Sequence, residues 1–364
     1  MTTTGAVTGA ATGSTAGDRR RLLRPIERLS GRQVNLLLGF ASVGVLATGL
    51  VSWTVGTGWG RWFTVLHGVL GVLLVVLAPA KVRRSVRPGL RRGRPERWLS
   101  VLLGILLLLT VGLGFASSTG VWTGVGTGAS LWWHVLVAGL TVPLLLWHVG
   151  SRPVKPHRVD TDRRLVLGGL TAAGAAAATV GATEVGIRAA GLTGADRRFT
   201  GSHEIASFNP SRMPRVSWFD DTAPAVTDAL DWTLTLDGVA LPVADLSARA
   251  RPLVAALDCT GGWWSEQRWD VVSLAELIDD GLLDGGDRGL AVTSATGYAR
   301  IFPADDADST FLAVGYDGRP LLRGHGAPVR VVAPARRGPW WVKWVTSVEA
   351  TARPWWLQLP LPPT

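Results

Sequence analysis

Five apolar segments of nearly equal length constrain this chain more than any other feature. They lie at about 34–55, 62–80, 98–117, 131–149 and 165–187. Each comes close to the roughly 20 residues that an α-helix needs to cross the hydrocarbon core of a bilayer. The alternative is five buried helices of a soluble protein, but such helices are seldom apolar on every face. We therefore expect an all-α bundle of five transmembrane helices.

The charges around these segments predict their orientation. Residues 1–187 hold 20 Lys and Arg against 6 Asp and Glu (+14), whereas residues 188–364 hold 17 against 21 (−4). Arginine and lysine collect before the first segment and in the second–third and fourth–fifth loops, while the opposite loops hold only Arg61. Cationic loops stay in the cytoplasm. The pattern predicts a multi-pass cell-membrane protein in contact with lipid, with residues 188–364 extracytoplasmic.

Composition predicts four regions along the chain. They are a disordered cytoplasmic tail (1–33), a four-helix membrane domain (34–160), a fifth transmembrane helix (161–187) and an outer domain (188–364). In the outer domain, short alternating runs bounded by turn residues predict strands. A capping box at Ser273 and Glu276 predicts one helix, so the class is α+β. Basic and aromatic residues do not interleave as in a base-stacking groove, which argues against nucleic acid as a partner.

The first four segments resemble a duplicated hairpin. A shift of 67 residues places His67 on His134 and Lys81 on His148. Two imidazoles at one depth on two helices can supply both axial ligands of one b-type haem. The alternative is that each histidine bonds a neighbouring helix or interfacial water. Because Lys81 stands opposite His148, the repeat does not predict a second haem.

The fifth segment is preceded by an arginine pair. Arg163 and Arg164 stand in the run Thr161–Leu167, before a weakly hydrophobic Ala/Gly-rich helix. This arrangement resembles a twin-arginine export signal, which would carry an already folded cofactor domain across the membrane. The alternative is an ordinary positive-inside flank, since arginine pairs are frequent in this chain.

In the outer domain, the chemistry rests on few residues. Cys259 is the only cysteine of the chain, which excludes an intramolecular disulfide framework and a cysteine-cluster metal site. It follows an apolar run and precedes Gly261, so it is either a buried inert thiol or a soft metal ligand. His325, Arg330 and Lys343 follow on late loops, where they form either an anion pocket or solvated surface charge.

The stretch from about 234 to 349 resembles the molybdopterin domain of the sulfite oxidase family. The match is ordered along the chain, and the whole layout is similar to bacterial membrane-anchored members. These include sulfoxide-reducing members that are served by a separate haem membrane subunit. The matching positions are Asp237-Gly238, Pro242, Asp258-Cys259, Trp269, Leu274–Ile278, Gly297-Tyr298, Gly318–Leu321, His325-Gly326, Pro328, Arg330, Val332–Pro334 and Lys343-Trp344.

The resemblance implies a role for each matching residue. Cys259 would bind molybdenum as thiolate, and His325, Arg330 and Lys343 would hold the pterin and its phosphate. Tyr298 would point at the substrate side of the metal. After the cysteine, the run 261–264 (Gly-Gly-Trp-Trp) replaces the Asn-Arg-Arg stretch of sulfite-oxidising members. Arg268 is the first later cation and our third catalytic candidate.

Together these features predict a membrane-anchored molybdenum oxidoreductase. It would transfer an oxygen atom on a small S-oxide, N-oxide or sulfite-like substrate and exchange electrons through the haem with quinone or another membrane carrier. We expect no carboxy-terminal dimerisation domain, because the chain ends at Thr364. The alternative is a haem-free membrane anchor that carries a cofactor-binding domain with a sensing or scaffolding role.

Overall fold

The computed structural model describes residues 24–93, 96–125, 128–151, 157, 160–216, 222–225, 228–229, 231–286 and 288–360. Within them the chain forms two compact units. The helical unit contains residues up to Gly49 together with Val65–Leu113 and His134–Gly191. The sheet unit contains Leu50–Thr64, Gly114–Trp133 and the chain from Leu192 onward.

Five long helices confirm the five predicted segments. All five are long and apolar enough to cross a membrane. Serine and aspartate caps fix where two of them begin. Ser30 and Gln33 form a reciprocal capping box at the first helix, with bonds of 2.9 and 3.1 Å, and Asp162 accepts from two backbone N–H groups at the fifth. The helices are α1 (Gly31–Thr54), α2 (Gly60–Lys81), α3 (Arg97–Thr119), α4 (Ser130–Gly150) and α5 (Arg163–Ala189).

The helical unit buries one small apolar core and leaves many large apolar side chains on its outside. The core includes Val34, Leu74 and Leu77 with Ala172 and Ala176. On the outside, the exposed fraction is 72% for Phe40 and 67% for Leu170, residues on two different helices. Buried helices of a soluble protein would not present such a surface to water. This exposure favours the membrane-spanning interpretation over the soluble one.

The predicted disordered tail was wrong for residues 24–33. Residues 24–27 are helical and α1 already begins at Gly31. Ile26 and Leu29 are buried in the core of the helical unit. Gly168 leaves the room that Leu29 needs, because a Cβ at this glycine would lie 2.5 Å from Leu29 Cδ2. Apolar packing therefore orders this segment; residues 1–23 lie outside the described part of the chain.

The sheet unit contains two larger, mainly antiparallel sheets, which confirm the α+β class, and a small two-stranded sheet of Gly124–Val125 and Gly128–Ala129. The first has the order β9-β8-β5-β1, with β10 paired to β8 and β4 paired to β5. The second has the order β3-β2-β11-β6-β7. The strands are β1 (His203–Glu204), β2 (Thr233–Leu236), β3 (Val239–Pro242), β4 (Arg251–Asp258), β5 (Trp263–Ser273), β6 (Gly289–Ser294), β7 (Ala299–Phe302), β8 (Phe311–Tyr316), β9 (Arg319–Pro320), β10 (Arg330–Val332) and β11 (Val345–Thr351).

Two short helices connect the strands of the sheet unit. They are α6 (Val243–Arg249) and α7 (Leu274–Asp279). As predicted, Ser273 caps α7, since its hydroxyl accepts from Glu276 N at 3.0 Å. The core between these elements is rich in tryptophan, and Trp269 and Trp344 are both fully buried.

The sheet unit also includes two segments that lie before residue 188. Leu50–Thr64 and Gly114–Trp133 belong to it, although the predicted boundaries assign them to the membrane domain. His203 Nε2 donates to Ser117 O at 2.7 Å. A Cβ at Gly262 would lie 2.6 Å from Leu131 Cβ, so the segment Gly114–Trp133 packs closely against the loop that carries Cys259.

Candidate functional site

Cys259 lies in the short loop of a β-hairpin. The loop joins β4 to β5, which pair up to Asp258 opposite Trp264. Cys259 N donates to Trp263 O at 2.9 Å, and Gly262 closes the loop with a φ of +96°. This left-handed conformation suits glycine. Burial raises the pKa of the Cys259 thiol, so a bound cation must favour its thiolate form.

One cavity brings together five of the six site residues predicted in this unit. About 670 Å³ of space not filled by atoms lies within it, including the part that opens to solvent. Its wall is mainly apolar, with polar groups at few positions, as in many small-molecule sites. The lining residues are Pro214, Val216, Leu257, Cys259, Thr260, Trp263, Tyr298, His325, Arg330, Gly338, Pro339, Trp341, Val342 and Lys343.

His325 and Arg330 form a buried pair with fixed orientations. His325 Nε2 donates to Met213 O at 3.1 Å, and its Nδ1 accepts from the Tyr316 hydroxyl at 3.2 Å. Burial, and secondarily the Arg330 charge, lowers the pKa of His325 to about 4, so the imidazole is neutral at pH 7. Arg330 donates to His325 O at 2.8 Å, and burial lowers its pKa to about 10. The guanidinium therefore remains a cation.

Lys343 and Tyr298 complete the predicted set. Lys343 Nζ donates to Gly324 O at 2.7 Å and to Val216 O at 2.9 Å, both neutral carbonyls. Lys343 thus brings an ammonium charge to the cavity wall, and such a charge attracts anions. Tyr298 is buried, and its hydroxyl donates to Pro339 O at 2.6 Å. Its ring forms part of the cavity wall.

Arg268 does not reach this cavity. It lies on β5, where its side chain is 56% exposed and forms an ion pair with Asp317 at 3.5 Å. The physical reason is strand alternation: Gln267 and Trp269 point into the interior, so the residue between them points outward. The structure therefore does not support Arg268 as a catalytic residue.

Arg337 is a site residue that sequence reasoning missed. It is fully buried, its Nη2 donates to Cys259 O at 2.9 Å, and its Nε lies 3.6 Å from Asp258 Oδ1. Burial lowers its pKa, and the Asp258 charge opposes that shift. Asp258 also accepts from Thr200 and Ser202 at 2.8 and 2.7 Å. This network holds the start of the cysteine loop, where β4 ends.

Trp263 supplies a further polar group beside the cysteine. The residue lines the cavity, and within the described residues its indole Nε1 is buried without a hydrogen-bond partner. An unpaired buried donor is costly, which suits a position that faces an acceptor on a bound group. A thiol, the two cations Arg330 and Lys343 and an unpaired donor around one cavity fit an anionic, metal-bearing cofactor. Among the described residues, no group of three His, Cys, Asp or Glu forms an all-protein metal site.

His67 and His134 lie together in the helical unit. Their ring centroids are 5.9 Å apart and the ring planes are nearly perpendicular. His67 Nδ1 lies 2.9 Å from Val45 O, and His134 Nδ1 lies 2.8 Å from Thr110 O. These contacts agree with the alternative prediction, in which each histidine bonds a neighbouring helix. They also fit haem ligation, because a bonded Nδ1–H leaves Nε2 as the ligand nitrogen, a common arrangement at metal sites.

Comparison with known proteins identifies the class. Residues 221–356 match the family model of the oxidoreductase molybdopterin binding domain. The five predicted residues that line the cavity lie within this range, so the sheet unit contains a molybdopterin-binding domain of the oxidoreductase type. The class predicted from the sequence is thereby confirmed.

One solved structure similar to this chain is the sulfane dehydrogenase SoxCD from Paracoccus pantotrophus. The two are 24% identical with a TM-score of 0.33, over 36% of this chain and 40% of that chain. This chain therefore spans well under half of that structure. A search of curated protein sequences finds no match.

We expect Lys343→Ala to lower the molybdenum and pterin content of the purified protein. Hydrogen bonds to charged groups contribute about 1.5–3 kcal/mol, which corresponds to roughly ten- to a hundredfold weaker cofactor binding. Metal analysis and fluorescence of the released pterin measure this. Arg268→Ala is the matched control, because it removes one cation outside the cavity. Equal loss in both variants would contradict a specific role for Lys343.

Proposed function

We propose that this protein transfers an oxygen atom on a small S-oxide, N-oxide or sulfite-like substrate and exchanges the electrons through a membrane haem. The cavity that joins Cys259 to His325, Arg330 and Lys343 carries the proposal. When bound, the molybdenum cofactor supplies two-electron oxygen-atom transfer, and the protein supplies binding and position.

Each type of side chain in the cavity would have a different role in binding the cofactor. The Cys259 thiolate would supply a protein ligand to the metal in addition to the cofactor's own ligands. Arg330 and Lys343 attract the cofactor's phosphate, while neutral His325 offers hydrogen-bonding capacity without adding charge. Trp263 and Trp341 line the same cavity as Tyr298 and give part of its wall an apolar character.

The paired histidines support the electron-transfer part of the proposal. His67 and His134 are the proposed axial ligands of one b-type haem, held by their bonds to Val45 and Thr110. A haem supplies one-electron exchange, which couples a two-electron site to quinone or another membrane carrier. We propose quinone as the partner because it dissolves in the same bilayer.

The arrangement in the membrane is also part of the proposal. The loop charges support a catalytic domain on the extracytoplasmic side. The Arg163–Arg164 pair before α5 would serve as a twin-arginine signal for export of the loaded domain. Asp162 caps α5 directly before this pair, so both arginines lie in the first turn of the helix.

Protease added to intact spheroplasts is expected to remove the catalytic domain. The reason is the charge difference between the two sets of loops: the cationic loops stay on the cytoplasmic side, which leaves the catalytic domain on the opposite side. Immunoblotting with an antibody against residues 231–286 follows the cleavage. Inverted vesicles are the control and should protect the domain. Protection in spheroplasts and cleavage in inverted vesicles would reverse the proposed topology.

Metal analysis with a substrate screen tests the function. We expect molybdenum close to one per chain and turnover with at least one of sulfite, an S-oxide or an N-oxide, using a reduced or oxidised dye as electron partner. A b-type absorbance band is expected in the same sample. Bound cofactor without turnover on any of these substrates and without haem would favour the sensing or scaffolding alternative.

A further inference from the structure

A tryptophan at the end of the first long helix is bonded to the cysteine loop. Trp53 lies in the last turn of α1, within the sheet unit, and is half-buried. Its indole Nε1 donates to Thr260 O at 2.8 Å. The N–H of the same peptide group, that of Gly261, donates to Cys259 Sγ at 3.3 Å. One peptide unit thus connects the Trp53 indole to the sulfur.

Hydrogen bonds in such a chain reinforce each other. A donor on the carbonyl polarises the peptide group and makes its N–H a stronger donor. A stronger N–H bond draws negative charge from a thiolate sulfur. Hydrogen bonds around a ligating cysteine tune the potential of other metal sites in this way. The effect stabilises the reduced, more electron-rich state of a metal bound to that sulfur.

We propose that Trp53 is a positioning residue that tunes the Cys259 sulfur, and hence the molybdenum potential, through the Thr260–Gly261 peptide. This inference rests on the proposed function, because it needs molybdenum on Cys259. It assigns to the membrane-helix end a direct influence on the catalytic metal, in addition to any anchoring role.

The neighbouring donors bind a different carbonyl from the one that Trp53 binds. Arg337 and Gly262 N both donate to Cys259 O, so they hold the peptide before Thr260 rather than the one after it. The segment around Trp53 is also closely packed against the site. A Cβ at Gly56 would lie 3.0 Å from Ala335 O and 3.1 Å from Arg337 N. The indole is therefore held at a defined position relative to the loop.

Three variants of the full-length protein test the proposal. Trp53→Phe keeps a ring and removes the donor, and Trp53→Gln keeps an N–H donor and removes the ring. Trp59→Phe is the matched control, because its indole belongs to the same segment and is 55% exposed. Molybdenum content is measured first. Redox titration followed by the Mo(V) electron paramagnetic resonance signal then gives the midpoint potentials.

We expect the Mo(V)/Mo(IV) potential to fall in Trp53→Phe, with changed Mo(V) g-values. It should stay nearer the unaltered value in Trp53→Gln and equal that value in Trp59→Phe. Equal potentials in all loaded proteins would overturn the inference alone. A shift as large in Trp53→Gln as in Trp53→Phe would show that ring packing, not the donor, matters, and would also overturn it. Absence of molybdenum from the unaltered protein would overturn the proposed function and the inference with it.

Discussion

Cys259→Ser is expected to abolish turnover while most of the cofactor stays bound. The thiolate is the proposed covalent contact between protein and molybdenum, so its loss changes the metal's coordination itself. Removing an outer-shell partner of a metal ligand costs about 10–100-fold in activity, and loss of the ligand should exceed this. Arg330, His325 and Lys343 are unaltered in the variant, and they can still hold the cofactor's phosphate and ring edges.

Molybdenum content and activity of Cys259→Ser, measured side by side, decide this prediction. Cys259→Ala is the companion variant, because a serine oxygen can still approach the metal whereas a methyl group cannot. Lys343→Ala serves as the converse case, with less cofactor but an intact sulfur ligand on the remainder. Full molybdenum content together with unaltered activity in Cys259→Ser would show that this residue is only a buried core thiol.

Two of the predicted site residues that line the cavity stand at the ends of regular elements. Cys259 directly follows β4, and Arg330 begins β10. Residues at such places are fixed by the strand register, so a linear motif carries their geometry. Arg268 shows that closeness to Cys259 in the sequence does not by itself predict a position in the cavity. It stands only nine positions after the cysteine, but the alternation of β5 turns it away from the cavity. The alternation of side chains along a strand could have been predicted from the sequence, and it would have excluded Arg268 as a site residue.

Arg337 could not be found in this way. It lies 78 positions from Cys259 along the chain, and a bridge between Asp258 and Arg337 brings the two segments together. Its neighbour Arg336 instead stacks over Trp340, with the guanidinium carbon 4.5 Å from the ring centroid. Two adjacent arginines thus have unrelated surroundings, and only the tertiary pairing distinguishes them.

The five helices were predictable because length and apolarity alone define a candidate span. That the ends of some helices belong to the sheet unit was not predictable. Hydropathy indicates which residues prefer lipid, but it contains no information on what the connecting segments contact. The sequence therefore assigned Trp53 and Leu131 to the membrane domain, although in the structure they contact the cysteine loop. Likewise, the composition of the first residues gave no sign that Ile26 and Leu29 enter a core.

Replacing either His67 or His134 by alanine is expected to eliminate the low-spin haem signal of the purified protein. Low-spin haem needs two strong axial ligands, and the ring centroids of these two histidines are 5.9 Å apart in one helical unit. Each ring is oriented by its own carbonyl partner, so neither can move to replace the other. Loss of one imidazole therefore leaves one axial position empty and should change the spin state even where some haem is retained.

Reduced-minus-oxidised absorbance spectra and electron paramagnetic resonance of the detergent-solubilised protein measure this change. His148→Ala is the matched control, because it removes the other histidine of α4. At the corresponding depth of α2 stands Lys81, which donates to Asn35 at 2.6 Å. The control should retain the full signal, and molybdenum content should be unaltered in all three variants, because Cys259 and the cofactor cavity belong to the sheet unit. Loss of the haem signal only in His148→Ala would refute the assignment of His67 and His134.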